Sequence, residues 1–246
     1  MQRIIRRTVW RMADIAASIL FPRCCPVCEE IVTPFGELIC PGCVNRLAPV
    51  RQPVCKRCGK EVESDRAEYC FDCTKHRRSF ERNFALLSYN ETASKSMAAI
   101  KYRNRREYLD FYGQAICLRY GRILKNLQPD GLIPIPVHSS RKKIRGFNQA
   151  EILAEHIGRN LEIPIYPDAL KRIKKTAPQK QLNPSERLRN LQEAFLPGQL
   201  PSHIRTVVLV DDIYTTGSTL EACTGVLKKM GVSQVYGVTI CVGAGI

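Results

Sequence analysis

The chain has 246 residues, enough for one medium domain or two small ones. Its 44% hydrophobic and 25% charged residues are typical of a globular protein and exclude a largely disordered chain. The formal net charge of +15 favours anionic partners, namely phosphate-bearing small molecules, nucleic acid or a membrane surface. Residues 81–246 carry 24 Lys and Arg against 14 Asp and Glu, so most of this excess lies there.

The first 22 residues have apolar residues at helical spacing, interrupted by Arg11 and Asp14. The run is too short and too charged to span a bilayer, and no secretory signal is visible. We interpret it as an amphipathic helix that either docks on its own protein or touches anionic lipid or a partner. We therefore expect a cytoplasmic protein without a transmembrane segment, with a peripheral position at the inner face of the membrane as the open alternative.

Eight cysteines between residues 25 and 73 form four C-x-x-C pairs, in two C-x2-C-x11-C-x2-C units with a period of thirty residues. The pairs are Cys25 and Cys28, Cys40 and Cys43, Cys55 and Cys58, and Cys70 and Cys73. Two such knuckles complete a tetrahedral Cys₄ site with no position left for water. The pattern predicts two structural zinc ions in a small domain over residues 23–80, whose folding depends on the metal.

Several alternatives stay open for this cysteine-rich segment. A single zinc with a degenerate second site fits the count, and a disulfide framework would need an oxidising compartment that nothing indicates. Ligation within each repeat and a cross-braced arrangement have the same spacing. Cys24 is either a neighbour of the first site or a substitute for Cys25, whereas Cys117, Cys223 and Cys241 are expected to be small core residues.

From residue 81 onward, predicted strands and helices alternate, which is typical of an α/β domain with a mostly parallel sheet. We predict strands at 83–89, 131–137, 206–210 and 234–242, and helices at 92–101, 107–127, 147–161 and 215–230. A basic loop at 138–146 and a second basic stretch at 171–190 are predicted to be irregular.

The segment VVLVDDIYTTGSTL places Asp211 and Asp212 at the carboxyl end of a buried strand, before a turn that opens into a helix. In open α/β sheets, ligands bind off the carboxyl ends of strands. A helix N-terminus offers unpaired N–H groups that favour phosphate, and Gly217 lets the backbone approach it. A simple helix cap explains one Asp or one Thr but not the whole set, and no P-loop sequence is present.

These residues resemble the ribose-phosphate fingerprint of type I phosphoribosyltransferases. The sequence RGFNQAEILA at 145–154 resembles the pyrophosphate-side loop of the ComF branch, and so does the preceding Ile-Pro-Ile-Pro at 133–136. The segment from Arg172 through Thr176 and Gln179 to the Ala194-Phe195 pair resembles another part of that branch. The branch also has an N-terminal double zinc ribbon, so the resemblance covers nearly the whole chain and implies a phosphoribosyltransferase-like domain over 81–246.

The resemblance implies a protein associated with DNA uptake during natural competence that binds phosphoribosyl diphosphate with Mg²⁺. Asp211 and Asp212 would bind the ribose hydroxyls, and Arg141, Arg145 and Gly146 would face the pyrophosphate. The 5′-phosphate would be enclosed by the loop Thr215, Thr216, Gly217, Ser218 and Thr219. Residues 174–184 would close over the site.

The sequence allows two interpretations for some of the basic residues. A charge at Arg141 or Arg145 can belong to a solvated loop, and Lys101 is as well explained by a helix surface as by a phosphate ligand. Two functions follow, a phosphoribosyltransferase with an unknown acceptor and a nucleic-acid-handling adaptor with a non-catalytic pocket. The adaptor would contact single-stranded DNA or the DNA-uptake machinery.

Overall fold

The computed structural model describes residues 22–34, 36–174 and 193–243. The N-terminal helix expected before residue 22 lies outside the described residues. So does most of the segment expected to close over the site, including Thr176 and Gln179.

A four-stranded sheet in the order β1-β6-β5-β2 forms the centre of the larger domain, and all of its pairings are parallel. Its strands are β1 (Asn83–Ser88), β2 (Gly131–Pro134), β5 (Thr206–Tyr214) and β6 (Gln234–Val242). The central strands are almost fully buried, as expected for a parallel sheet that is covered on both faces. A short antiparallel pair, β3 (Leu170–Arg172) with β4 (Phe195–Pro197), lies outside the main sheet.

Helices cover the sheet and connect its strands. They are α3 (Glu91–Tyr102), α4 (Tyr108–Asn126), α5 (Ser139–Arg145), α6 (Gln149–Leu161) and α7 (Ser218–Lys229). The apolar stripes of α3, α4 and α6 pack into one core cluster with one face of the sheet. A second cluster lies on the other face beneath α7 and includes Cys55 and Cys58 of the cysteine-rich segment. The fold confirms an α/β domain with a parallel sheet, preceded by a small cysteine-rich domain.

Two predicted boundaries near the motif were wrong. Strand β5 continues to Tyr214, because both Asp211 and Tyr214 still pair with β6, so the two carboxylates lie on the strand itself. Helix α7 therefore begins at Ser218 and not at residue 215. The residues between the strand and the helix form a tight turn.

The basic stretch 138–146 was predicted to be a loop, and the structure shows helix α5 there. The ring Nδ1 of His138 accepts a hydrogen bond from the N–H of Ser140 at 3.2 Å and caps the first turn. Gly146 ends the helix in a left-handed conformation with φ +80°. The sequence lacks the apolar periodicity that marks a helix, and for that reason the pattern did not indicate one.

Candidate functional site

The cysteine-rich segment folds as two equivalent hairpins. Cys24 pairs with Ile31 in the first, and Val54 pairs with Glu61 thirty residues later. Each hairpin is followed by a short helix, α1 (Pro41–Val44) or α2 (Phe71–Lys75). Because Cys24 occupies the hairpin position of Val54, it is a neighbour of the first site and does not substitute for Cys25.

The eight cysteines of the C-x-x-C pairs converge in two groups, each with all four sulfur atoms within 4.8 Å of one another. The groups are Cys25, Cys28, Cys40 and Cys43, and then Cys55, Cys58, Cys70 and Cys73. Ligation is therefore sequential and not cross-braced. Although burial opposes ionisation, backbone N–H groups around Cys25 lower the pKa of its thiol to about 7. Four converging sulfurs of this kind fit a structural zinc ion.

The proposed phosphate loop lies between β5 and α7. Gly217 has φ +77° and provides the residue before the helix. A Cβ atom there would lie 2.2 Å from the hydroxyl oxygen of Tyr214, so only glycine fits both the backbone conformation and the space. The hydroxyls of Thr216 and Ser218 lie 2.9 Å apart at the mouth of the turn.

This turn forms part of the wall of a small, partly open pocket. Its polar lining includes Asp211, Thr215, Gly217, Ser218, Thr219 and Thr239. The structure thus brings together five of the residues that the resemblance assigns to the ribose and its phosphate. Asp212 does not line the pocket and is only 6% exposed.

The two adjacent carboxyl groups have different environments. Asp212 forms an ion pair with Lys101 and accepts a hydrogen bond of 3.3 Å from Nε2 of Gln149. Burial acts to raise the pKa of Asp212, but Lys101, the neighbouring Asp211 and Gln149 together bring it below its ordinary value. The pKa of Asp211 is raised well above its ordinary value by burial and by the negative charge of Asp212.

Lys101 was left between two interpretations, and the structure shows its ammonium group in contact with Asp212. Its side chain is 20% exposed, and its pKa is raised by Asp212 and Asp211 against the opposing effect of burial. Arg145 donates to Oε1 of Gln149, so it is linked to Asp212 through that amide. Burial lowers the pKa of the Arg145 guanidinium, and the charge of Asp212 opposes this shift.

Two further arginines lie within electrostatic range of these groups. Arg141 lies within electrostatic range of both Arg145 and Arg172. Arg172, on β3, also interacts with Asp211. No role was assigned to Arg172 from the sequence, although Arg172 is the first residue of the segment that resembles the R-x-x-x-T-x-x-Q pattern of the family. Gly146 follows α5, and a Cβ atom at this position would lie 3.3 Å from Nη2 of Arg106.

Residues 16–74 match the sequence pattern of the double zinc ribbon domain. The chain is 31% identical over 165 residues to the DNA utilization protein YhgH of Shigella flexneri, an alignment that covers 66% of this chain and 72% of that protein. The chain belongs to the ComF family.

Two other relatives of this chain are named as competence proteins. The Competence protein F of Haemophilus influenzae is 38% identical over 109 residues, which cover 44% of this chain and about half, 48%, of that protein. The Competence protein ComFC of Bacillus subtilis is 28% identical over 154 residues, 61% of this chain and 59% of that protein. Among the helices within residues 22–34, 36–174 and 193–243, none is both long and apolar enough to cross a membrane.

Proposed function

We propose that this chain binds phosphoribosyl diphosphate together with Mg²⁺ in the pocket beside Asp211, and that it acts in DNA uptake, as the names of its relatives suggest. One observation carries the proposal. The pocket has a glycine turn at a helix N-terminus and the carboxyl group of Asp211. Outside this lining, Lys101 contacts the neighbouring Asp212, Arg145 is linked to Asp212 through Gln149, and Arg172 and Arg141 lie within electrostatic range of Asp211 and Arg145 respectively. A sugar carrying a monophosphate and a diphosphate is complementary to such a set of groups.

Each part of the ligand has a group of residues to receive it. The N–H groups and hydroxyls of residues 215–219 bind the 5′-phosphate. Asp211 accepts hydrogen bonds from the ribose hydroxyls, while Asp212, outside the pocket lining, holds Lys101 beside it. Arg141, Arg145 and the backbone at Gly146 bind the diphosphate. Mg²⁺ prefers carboxylate and phosphate oxygens, and Asp211 lines the pocket without a direct ion pair among the described residues. When bound, the metal would neutralise charge on the departing diphosphate.

These residues suit transfer of the phosphoribosyl group to a nitrogen acceptor. The bond between the anomeric carbon and the diphosphate oxygen breaks as the bond to nitrogen forms, and the electron pair leaves with the diphosphate. No protein nucleophile is needed, because the chain holds the reactants and its carboxylates stabilise positive charge on the ribose. The proton released by the acceptor passes to solvent or to the diphosphate.

Calorimetric titration of phosphoribosyl diphosphate with Mg²⁺ tests the proposal. At a pH where Asp211 is ionised, we expect the wild-type chain to bind and Asp211→Asn to bind at least about tenfold more weakly, since the variant lacks a charge-assisted acceptor. Asp168→Asn is the matched control because Asp168 is exposed and away from the pocket lining. Failure of the wild-type chain to bind would contradict the proposal. A measurement of pyrophosphate release in the presence of candidate acceptor bases then shows whether the chain transfers the phosphoribosyl group or only binds the ligand.

Direct contact with single-stranded DNA is the second candidate function. Tyr102 is 81% exposed and lies within electrostatic range of Arg145, and Ile144 is 88% exposed on the basic helix α5. An exposed aromatic ring beside arginines can stack with a base while the cations contact phosphates. Fluorescence anisotropy with an oligonucleotide should show affinity that falls steeply with salt and drops in Tyr102→Ala. Salt-insensitive binding would contradict this mode.

A further inference from the structure

The segment that connects the second zinc ribbon to β1 is attached to the phosphate loop. Nη2 of Arg78 donates a hydrogen bond of 2.7 Å to the backbone carbonyl of Thr216. The next residue, Ser79, donates both its N–H and its hydroxyl to the carboxylate of Glu221, at 2.8 and 2.7 Å. Because Glu221 lies in the first turn of α7, the segment contacts both the loop and the start of the helix.

The same segment is held from the other side by the second Cys₄ site. Arg57, which lies between the ligands Cys55 and Cys58, donates from Nη1 to the carbonyl of Phe80. Phe80 is fully buried and packs edge-on against the ring of Tyr214, with ring centroids 6.3 Å apart. The Tyr214 hydroxyl lies in turn against Gly217. A continuous series of contacts therefore runs from the knuckle to the loop.

The hydrogen bond from Arg78 fixes the direction of one peptide group. In a planar trans peptide, the carbonyl of Thr216 and the N–H of Gly217 point in opposite directions. With the carbonyl held towards Arg78, the N–H of Gly217 points away from the ribbon. This N–H is one of the donors that a phosphate at the start of α7 would need.

The first Cys₄ site makes different contacts. Its hairpin residue Glu29 accepts hydrogen bonds from Nη1 and Nη2 of Arg103, at the end of α3, and Arg23 pairs with Asp110 on α4. These contacts lie on helices and not on the phosphate loop. The two ribbons are thus equivalent in fold but are attached to different parts of the larger domain.

We propose that Arg78 is a positioning residue, through which the second Cys₄ site sets the affinity of the pocket for a sugar 5-phosphate. This inference rests on the proposed function, since it concerns the same loop. Loss of the Arg78 hydrogen bond lets the Thr216 peptide rotate, and the phosphate then loses a fixed donor. The diphosphate end of the ligand, bound by Arg141 and Arg145, is unaffected by that rotation.

Two probes, ribose 5-phosphate and inorganic pyrophosphate, test this with the full zinc-loaded chain. Arg78→Ala should bind ribose 5-phosphate about tenfold more weakly, the effect of one hydrogen bond to a charged donor, and pyrophosphate as the wild type does. Arg78→Lys should recover part of the affinity because it keeps one donor. Arg77→Ala is the matched control, since Arg77 is the exposed neighbour. Every variant should retain two equivalents of zinc by elemental analysis.

The contribution of the ribbon is tested without disturbing its ligands. Arg57→Ala removes the contact on the knuckle side and should give the same selective loss as Arg78→Ala. Arg103→Ala removes the contact of the first ribbon with Glu29 and should leave both affinities unchanged. Equal loss of both ligands in Arg78→Ala, or no loss of either, would overturn the proposal.

Hydrogen exchange separates this proposal from the proposed function. In the absence of ligand, amides of residues 215–219 should exchange faster in Arg78→Ala than in the wild type or in Arg77→Ala. If the wild type binds neither probe but exchange rises in this way, the proposed ligand is wrong while Arg78 still positions the loop. If exchange at the loop is unchanged, Arg78 does not position it, whatever the ligand.

Discussion

Removal of one partner from the ion pair between Lys101 and Asp212 should strongly destabilise this fold. Their side chains are only 20% and 9% exposed. Asp212→Asn would leave the ammonium group of Lys101 partly buried without its partner. Breaking a buried pair in this way costs about 3 kcal/mol, and for a chain of this size each kcal/mol lowers the midpoint of thermal unfolding by about 2–4 °C. We therefore expect a decrease of roughly 6–12 °C in that midpoint.

Asp211→Asn is the matched comparison at the adjacent position. The pKa of Asp211 is already raised by burial and by Asp212, so a neutral amide replaces a group that is readily neutral in the native protein. We expect its midpoint of unfolding to stay close to that of the wild type. Lys101→Met in the Asp212→Asn background should restore part of the lost stability, because it removes the unpaired charge.

The effect should also depend on pH in a defined direction. The pKa of Asp212 is lower in the folded chain than in the unfolded chain. Its contribution to stability is therefore present above the unfolded pKa, near ~3.9, and is lost as the pH falls through the folded pKa. Urea unfolding from pH 7 to pH 3 should show the gap between wild type and Asp212→Asn closing. Equal stability of the two at pH 7, or no compensation by Lys101→Met, would refute this reasoning.

In urea titrations, Gly217→Ala should destabilise the fold by about 2 kcal/mol, because Gly217 has a positive φ and a Cβ atom there would contact Tyr214. Gly225→Ala is the control. It should stabilise the fold by about 0.5–1 kcal/mol, because Gly225 lies within α7 with open space for a Cβ atom. Elemental analysis should find two zinc ions per chain, and fewer than one would contradict the Cys₄ assignment. Affinity for phosphoribosyl diphosphate should rise with pH as Asp211 loses its proton. The same titration of Asp211→Asn measures the contribution from ionisation of the ligand itself. An equal pH dependence in both proteins would contradict the role of Asp211 as an acceptor for the ligand.

Local patterns predicted most of the fold. The run of valines in β5 and the alternation of strands and helices reflect burial and period, which are properties of neighbouring residues. The thirty-residue repeat of cysteines likewise predicted both Cys₄ groups. Helix α5 was missed because its stability comes from the His138 cap and Gly146 and not from an apolar stripe.

The partners within the candidate site were less predictable. The motif identified Asp211 and Asp212 as a pair, but the sequence could not show that only Asp211 lines the pocket. The contact of Lys101 with Asp212 joins residues that are far apart in sequence, so no local spacing records it. For the same reason, nothing in the sequence indicated a role for Arg78, since its contact with Thr216 spans 138 residues.

The order of strands in the sheet has a consequence for how the chain folds during synthesis. β1 is made early, yet its one neighbour within the four-stranded sheet is β6, and the side chain of Asn83 binds Thr239, 156 residues further along. Contacts at such separation form slowly because a long loop must close first. The ribbons leave the ribosome well before the surface on which they dock. Zinc would thus give the early part of the chain a stable shape while it waits for the rest of the sheet.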